Sequence, residues 1–345
     1  MNEFNKIYEQ IYLNYYNQLE KMRKNKIYEF ILIIATNIMS LIVFYIILVI
    51  IIRHESAQNW FALVAWVGTS IIFFNIFNLI RYFVRYLNGR RNDKYTYFFK
   101  ENVIKNLVNS IENKLEFMTG FGLLESIYIQ GEFENFDKYY SEDLIKGILN
   151  NGCQIYLAEV RTEWRRRHNF ILDGVRTRRK RRLGTTSETH STIIPIFYGI
   201  YANVQLKKNI NSFIQLKKNK LINFNSLGDI LKTNTTKYSR KKVNMNSQEF
   251  DKIYDVFSSD SIMPTKLLTA DIMQMLVDFK KQNNIIPEFT LKENILHIRF
   301  NTGKMFETLI LKKSLDYSTL KHYYDTLNII LKLIENLINA IDEME

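Results

Sequence analysis

Residues Phe30–Ile52 read FILIIATNIMSLIVFYIILVIII, 23 positions without a charged side chain. As a helix, this run is long enough to cross the roughly 30 Å hydrocarbon core of a bilayer. The connector Arg53-His54-Glu55-Ser56-Ala57-Gln58-Asn59 leads into a second uncharged run, WFALVAWVGTSIIFFNIFNLI at Trp60–Ile80, with the interfacial aromatic Trp60 at its entrance. The pair predicts a transmembrane hairpin over residues 27–85, with spans at about 30–52 and 60–80. Two such runs side by side are foreign to a soluble core. A signal peptide would start earlier, be shorter and carry a small-residue cleavage site.

Lysine and arginine near the span ends set the expected orientation. Lys21, Arg23, Lys24 and Lys26 precede the first run, Arg81, Arg85, Arg90, Arg91 and Lys94 follow the second, and the connector holds only Arg53. Both termini and the large remainder of the chain are therefore expected in the cytoplasm, where a lone thiol, Cys153, is at home. Thr36, Asn37, Ser40, Gly68, Thr69, Ser70, Asn75 and Asn78 are the small and polar residues within the runs, and they read as helix-packing positions. No acid or base lies inside either run to mark an ion path.

The composition frames the rest. The chain has 345 residues, 47 Lys plus Arg against 35 Asp plus Glu, a net charge of +12 and a mean hydropathy of −0.17. Hydrophobic residues make up 47%, aromatics 14%, and only 3 Pro and 12 Gly interrupt them, which excludes a disordered chain. A single cysteine excludes an internal disulfide framework or a multi-cysteine metal site.

Flanking the spans, Phe4, Ile7, Tyr8, Ile11, Tyr12, Tyr15, Leu19 and Met22 recur at steps of three and four, predicting an amphipathic cytoplasmic helix over residues 1–26, with a membrane-surface helix as the alternative. Phe99, Val103, Leu107, Ile111, Leu115 and Met118 predict a helical stalk over 90–119, ended by Gly120 and Gly122. Beyond it the period changes. Gly152–Trp164, Ser191–Leu206 and Ile210–Lys218 read as strands, the last two joined by a turn at Lys207-Lys208-Asn209. PEFTLKEN and ILHIRFNTGKMF read as a second hairpin, turning at Lys292-Glu293-Asn294, with His297 on the strand surface. Helices are expected over Leu268–Gln282 and Ser318–Ile341. The fold class is α+β: a transmembrane hairpin with its stalk, then a mixed α+β domain over 120–345 with mainly antiparallel strands. The polar stretch Lys232–Asn246 reads as a subdomain boundary or a long loop.

The block VNMNSQEFDKIYDVFSSDSIMPTKLLTADIMQMLVDF (Val243–Phe279), preceded by Ala158–Val160 and by IFYGIYANV at Ile196–Val204, resembles an uncharacterised bacterial membrane-protein family, a domain of unknown function. Phe250, Val256, Ser258, Asp260, Leu267, Leu268 and Thr269 carry the resemblance most specifically. It implies two N-terminal spans, a cytoplasmic α+β domain and a place in the bacterial cytoplasmic (inner) membrane, and it brings no catalytic residues. The arginine-rich insertion ahead of Ile196 departs from that pattern.

Charge is concentrated in one quarter of the chain. Residues 161–242 hold 20 basic residues against four acids, and everything else sums to −4. The insertion at 161–182 is densest, with Arg161, Arg165, Arg166, Arg167, Arg176, Arg178, Arg179, Lys180, Arg181 and Arg182. For a tethered protein the nearest anion is phospholipid, at about 1 kcal/mol per juxtamembrane cation. Nucleic acid is disfavoured because no helix-turn-helix, zinc-finger or RNA-binding signature is present. A solvated basic loop is the plain alternative.

No phosphate loop, HExxH, nucleophile elbow or EF-hand occurs, and no cofactor is expected. His168, Asp173, Glu188 and His190 would form a metal set only if the chain folded back on itself. Ser258, Ser259 and Asp260 read as a strand exit and Thr269 as a helix cap. The expected function is a membrane-anchored interaction or scaffold protein with a protein partner and a contact to anionic lipid. The alternatives are an enzyme with an unrecognised site and a two-span effector activated by its cytosolic domain.

Overall fold

The computed structural model describes residues 3–52, 68, 70, 72–81, 94–169, 189–219, 240–308 and 313–344, with the backbone alone at 47, 48, 50–52, 166–169 and 189–191. These form two compact units, Met1–Leu107 with Glu307–His322, and Val108–Phe306 with Tyr323–Glu345.

The first unit is helical. Helix α1 (Glu3–Ile52) is continuous through both the amphipathic stretch and the first apolar run. Its N-terminal half buries Phe4, Ile11 and Leu19. Phe4 and Tyr8 set their rings edge-on against Tyr317 at 5.3 and 5.0 Å, and the Tyr8 hydroxyl donates to the Leu315 carbonyl at 3.0 Å. Phe4, Ile11 and Leu19 of the amphipathic stripe thus pack on protein, while Tyr12 stays exposed. Further along, α1 is the one described helix long and apolar enough to cross a membrane, and none of that stretch is buried. Leu32, Met39 and Tyr45 stand about 60% exposed or more, at 64, 59 and 67%. A short apolar helix, α2 (Ile72–Arg81), is also described.

The expected stalk is corrected. Helix α3 (Lys94–Phe99) runs through a π-turn (Lys100–Ile104) into α4 (Lys105–Ile111), and the helix ends there rather than at Gly120. Leu115–Met118 is strand β1, with Leu115 and Phe117 buried and Glu116 exposed. The spacing of Ile111, Leu115 and Met118 suits a helix, but the turn at Asn113-Lys114 resets the period to two.

The second unit is a seven-stranded antiparallel sheet with helices. Its remaining elements are α5 (Glu125–Gln130), β2 (Lys138–Ile148), β3 (Gln154–Asn169), β4 (Thr189–Lys218), β5 (Lys241–Val243), α6 (Gln248–Ile253), β6 (Tyr254–Ser258), α7 (Met263–Leu267), α8 (Ala270–Asn283), β7 (Pro287–Phe300) and α9 (Tyr317–Glu343), the last belonging to this unit from Tyr323 on. The strand order is β1-β2-β3-β4-β6-β5, with β7 added to β4.

Both expected hairpins are corrected together. Lys207-Lys208-Asn209 and Lys292-Glu293-Asn294 are irregularities inside the two long strands β4 and β7, which pair antiparallel with each other from Ile200↔Phe300 to Leu216↔Phe289. The register shifts at Gln205/Ile210 and Ile210/Phe213, opposite Glu293 and Lys292, and Glu293 takes a positive φ of 56°. Surplus residues in one strand of an antiparallel pair form a bulge, which bends the strand and keeps the pairing. Polar residues tolerant of left-handed backbone serve a bulge and a turn equally well.

Alternation gives the sheet two different faces. Ile155, Leu157, Ala202, Val204, Leu296, Ile298 and Phe300 are fully buried on the aliphatic one. Helix α8 meets it with Phe279 against Phe300, 6.1 Å between rings, and α9 lies against α8, where Asn336 Nδ2 donates to Met275 Sδ at 3.4 Å. The Thr269 hydroxyl accepts from Ile272 N–H and starts α8, as expected. The other face carries Ala158, Val160, Phe197 and Tyr201, covered by Leu123, Tyr128 and Phe133.

Gly199 sits opposite Val160 of β3 and beside the end of β7. A Cβ there would lie 2.0 Å from the Phe300 carbonyl oxygen and 2.7 Å from the Thr302 nitrogen. Backbone cannot yield as a flexible side chain would. Gly199→Ala is expected to destabilise the sheet by about 1–3 kcal/mol, read as a lowered thermal midpoint by circular dichroism in mild detergent; an unchanged midpoint would contradict the close approach.

Candidate functional site

The aromatic face holds a half-buried charge network. Arg299 extends between Glu288 and Glu134, with Nε donating to Glu288 Oε2 at 2.6 Å and Nη1 to Glu134. Its guanidinium lies over the rings of Phe133 and Phe197 at 4.5 and 5.2 Å. Glu134 also accepts from the Tyr128 hydroxyl at 2.6 Å, and Glu288 from the Lys218 N–H at 2.8 Å. Burial alone would push Glu288 up. The Arg299 charge and hydrogen bond, the Lys218 N–H and Lys217 outweigh it and hold the carboxyl below its ordinary value. Both carboxylates bind the same guanidinium, so the fork is filled by the protein itself and offers no vacant bidentate face to an outside anion.

His297 corrects the expectation of a surface position: it is 1% exposed. Its Nδ1 lies 2.7 Å from the Tyr201 hydroxyl and 3.2 Å from Asn203 Nδ2. Burial, and then the Lys292 charge, lower it to about 4, so the ring is neutral at pH 7. Gln215 and Thr290 complete this layer by bonding the carbonyls of Gly131 and Glu132, the chain that closes over the face.

A second cluster is acidic. Glu142 and Glu159 are cross-strand partners, and Asp143, in the β2 bulge with φ of 58°, follows directly. Glu159 is buried, with Oε2 accepting the Met305 N–H at 3.1 Å. Burial, then the charges of Asp143 and Glu142, raise it to about 8.

The residues singled out in sequence separate into two groups. Phe250, Val256, Leu267 and Leu268 are buried apolar positions. Ser258 donates to the Phe213 carbonyl at 2.8 Å and accepts from Asp260 N–H, while Asp260 accepts from Ile262 N–H at 2.9 Å. The block therefore builds a strand exit and a helix start, as expected of Ser258, Asp260 and Thr269. Cys153 is buried, and burial raises its thiol above the ordinary value. Of the basic run, Arg165 is exposed, and its backbone N–H bonds Asp137 Oδ2 at 2.6 Å. Arg166 and Arg167 pair in backbone register with Thr192 and Ser191, and His168 with His190. Arg176, Arg178, Arg179, Lys180, Arg181 and Arg182, like Asp173 and Glu188, lie outside the described residues.

What sequence reasoning missed is the network on the aromatic face, because Glu134, Tyr201 and the pair Glu288 and Arg299 come from three segments far apart in the chain. The one local signal is ILHIRF, whose alternation puts His297 and Arg299 on the same face.

Residues 195–338 match a family described as a protein of unknown function (DUF3137). The match takes in most of β4, all of β7 and the resemblance block, and its first residue is Pro195. No curated protein and no solved structure matches the chain.

Arg299→Met leaves two half-buried carboxylates without their cation and should cost about 2–3 kcal/mol near neutral pH, below the range for a fully buried pair. Glu288 is depressed, so its contribution is present above the unfolded value and is lost as pH falls. The deficit of the variant should therefore shrink below about pH 4.3, and equal deficits at both pH values in urea unfolding would contradict the ion network. Glu159 has the opposite sign. Its folded value is raised to about 8, so the protein loses stability as pH climbs from the ordinary carboxyl value through 8. His297 adds a loss on acidification only below about 6.5. Between pH 6.5 and 8 the Glu159 decline should stand alone, and Glu159→Gln should flatten it; a variant that declines as steeply as the parent refutes the assignment.

Proposed function

We propose that the chain is a bacterial inner-membrane protein that holds an α+β domain at the cytoplasmic face, where it works by binding another protein and touches anionic phospholipid through its basic segment. The observation that carries this reading is the stretch of α1 from Ile31 to Ile46, apolar, helical and uncovered. Such a surface is costly in water and at rest in hydrocarbon.

The hairpin is part of the proposal. Supporting it, the Ser40 hydroxyl of α1 donates to Asn75 Oδ1 of α2 at 2.9 Å, and a Cβ at Gly68 would fall inside the Phe44 ring at 1.9 Å. A small residue and a polar pair at a helix contact are the means by which membrane helices associate. The inside orientation rests on the lysines and arginines that flank the two runs. The scaffold role draws on what the polar interior does: Arg299, Glu134, Glu288 and the Ser258–Thr269 turn are engaged in holding the fold, which leaves the surface for recognition. The matched family supplies a shared domain without an assigned activity.

Alkaline carbonate should leave the full-length protein in the membrane pellet. With Cys153 buried, an Asn59→Cys variant should react with an impermeant maleimide in intact cells, and Lys252→Cys only after permeabilisation. Extraction by carbonate overturns the anchor, and the reverse labelling pattern overturns the orientation.

A further inference from the structure

Strands β3 and β4 outrun the rest of their sheet. Strand β2 accompanies β3 only as far as Lys138↔Glu163, and β7 accompanies β4 only from Ile200 on. From Trp164↔Ile194 to Asn169↔Thr189 the two strands pair with each other alone among the described residues. These six pairs make a ribbon about 20 Å long at ~3.4 Å per residue, and its base is tied by the bond from Arg165 N–H to Asp137 and bent by the bulge at Thr162/Glu163.

The ribbon does not behave as a water-facing edge. Ile193, Ile194 and Ile196 stand 48, 36 and 37% exposed, and Trp164, directly across from Ile194, is half-buried. Residues 164–169 and 189–196 hold three arginines and no acid. An isolated two-stranded ribbon is marginal in water, and a cluster of uncovered β-branched side chains marks a surface that is covered in use. Apolar side chains, an indole and arginines in one short element are the combination that binds the boundary between headgroups and acyl chains. The charge complements anionic headgroups, and the anchor raises their effective concentration.

We propose that this ribbon docks on an anionic bilayer surface, with the cross-strand pair of Ile194 and the Trp164 indole entering the headgroup–acyl boundary and Arg165, registered with Ile193 at the next pair, bonding phosphate oxygens. The proposal rests on the membrane-anchored reading above, and adds an insertion element to it. Nucleic acid would use the arginines and leave the isoleucines without a purpose, so it stands as an outcome of the test.

Of the three tryptophans, Trp60 and Trp66 lie in the second apolar run, so Trp60→Phe/Trp66→Phe leaves Trp164 as the only indole of the full-length protein. The protein is reconstituted in vesicles of phosphatidylcholine with or without phosphatidylglycerol, each with brominated acyl chains. The expected result is a blue-shifted Trp164 emission, quenched by bromolipid in the anionic vesicles much more than in the neutral ones and released by high salt. Ile194→Ser should abolish that quenching. Arg165→Gln, at an exposed site that cannot break the fold, should weaken the docking equilibrium by about fivefold. Bromolipid quenching that is absent, or equal in the two vesicles, overturns the proposal, as does an emission shift produced only by an added oligonucleotide. Protein that stays in the vesicles at alkaline pH without Trp164 quenching loses the ribbon and keeps the anchor; protein that washes out loses the anchor itself.

Discussion

The pairing of β4 with β7 across a shared irregularity is the constraint on which the second unit depends. One 30-residue strand serves β3 along its first half, β6 at its end and β7 across the middle. It can do so because surplus residues at Leu206–Asn209 and Asn211–Ser212 bend it, opposite the left-handed Glu293. A straight strand of that length would carry its neighbours out of one plane of packing, whereas the bend lets the same chain form both ends of one sheet.

The two faces of that sheet solve different problems. The aliphatic face is closed by α8 and α9 with side chains that need only volume, and Glu159 is pushed toward its neutral form by burial and by the neighbouring Asp143 and Glu142. The aromatic face is closed by a loop and a short helix, too little chain to supply an aliphatic layer, and it uses Tyr128, Phe133 and Phe197 around one half-buried guanidinium instead. Such a network contributes less to stability than to uniqueness, because each member is satisfied only in one arrangement.

Much of this was legible in the residues, and the failures have physical causes. The apolar run, α8 with its Thr269 cap, α9 and the strand character of β3, β4 and β7 follow from period and capping alone, whereas β2 and β5 carry no alternation that the sequence reading found. Bulges were read as turns at Lys207-Lys208-Asn209 and Lys292-Glu293-Asn294, since both need polar residues at ease outside extended backbone. Strand β1 hid in a helical stripe because Ile111, Leu115 and Met118 keep helical spacing, while the competing alternation is carried by Leu115 and Phe117 alone. His297 reads as a surface residue because alternation tells which residues share a face and is silent on what covers it. The partners that hold His297 and Arg299 lie 96 to 171 residues away in the chain, at Tyr201, Glu134 and Tyr128.

The central claim is that α1 meets lipid along residues 31–46. An apolar, carbene-generating probe dissolved in the bilayer of reconstituted full-length protein tests it most directly, with labelled peptides mapped by mass spectrometry. The account predicts label on Ile31–Ile46 and on Ile72–Ile80, and none on the buried strands β4 and β7 from Ile200 to Phe300. Label absent from Ile31–Ile46, with the probe still reacting elsewhere, would contradict it.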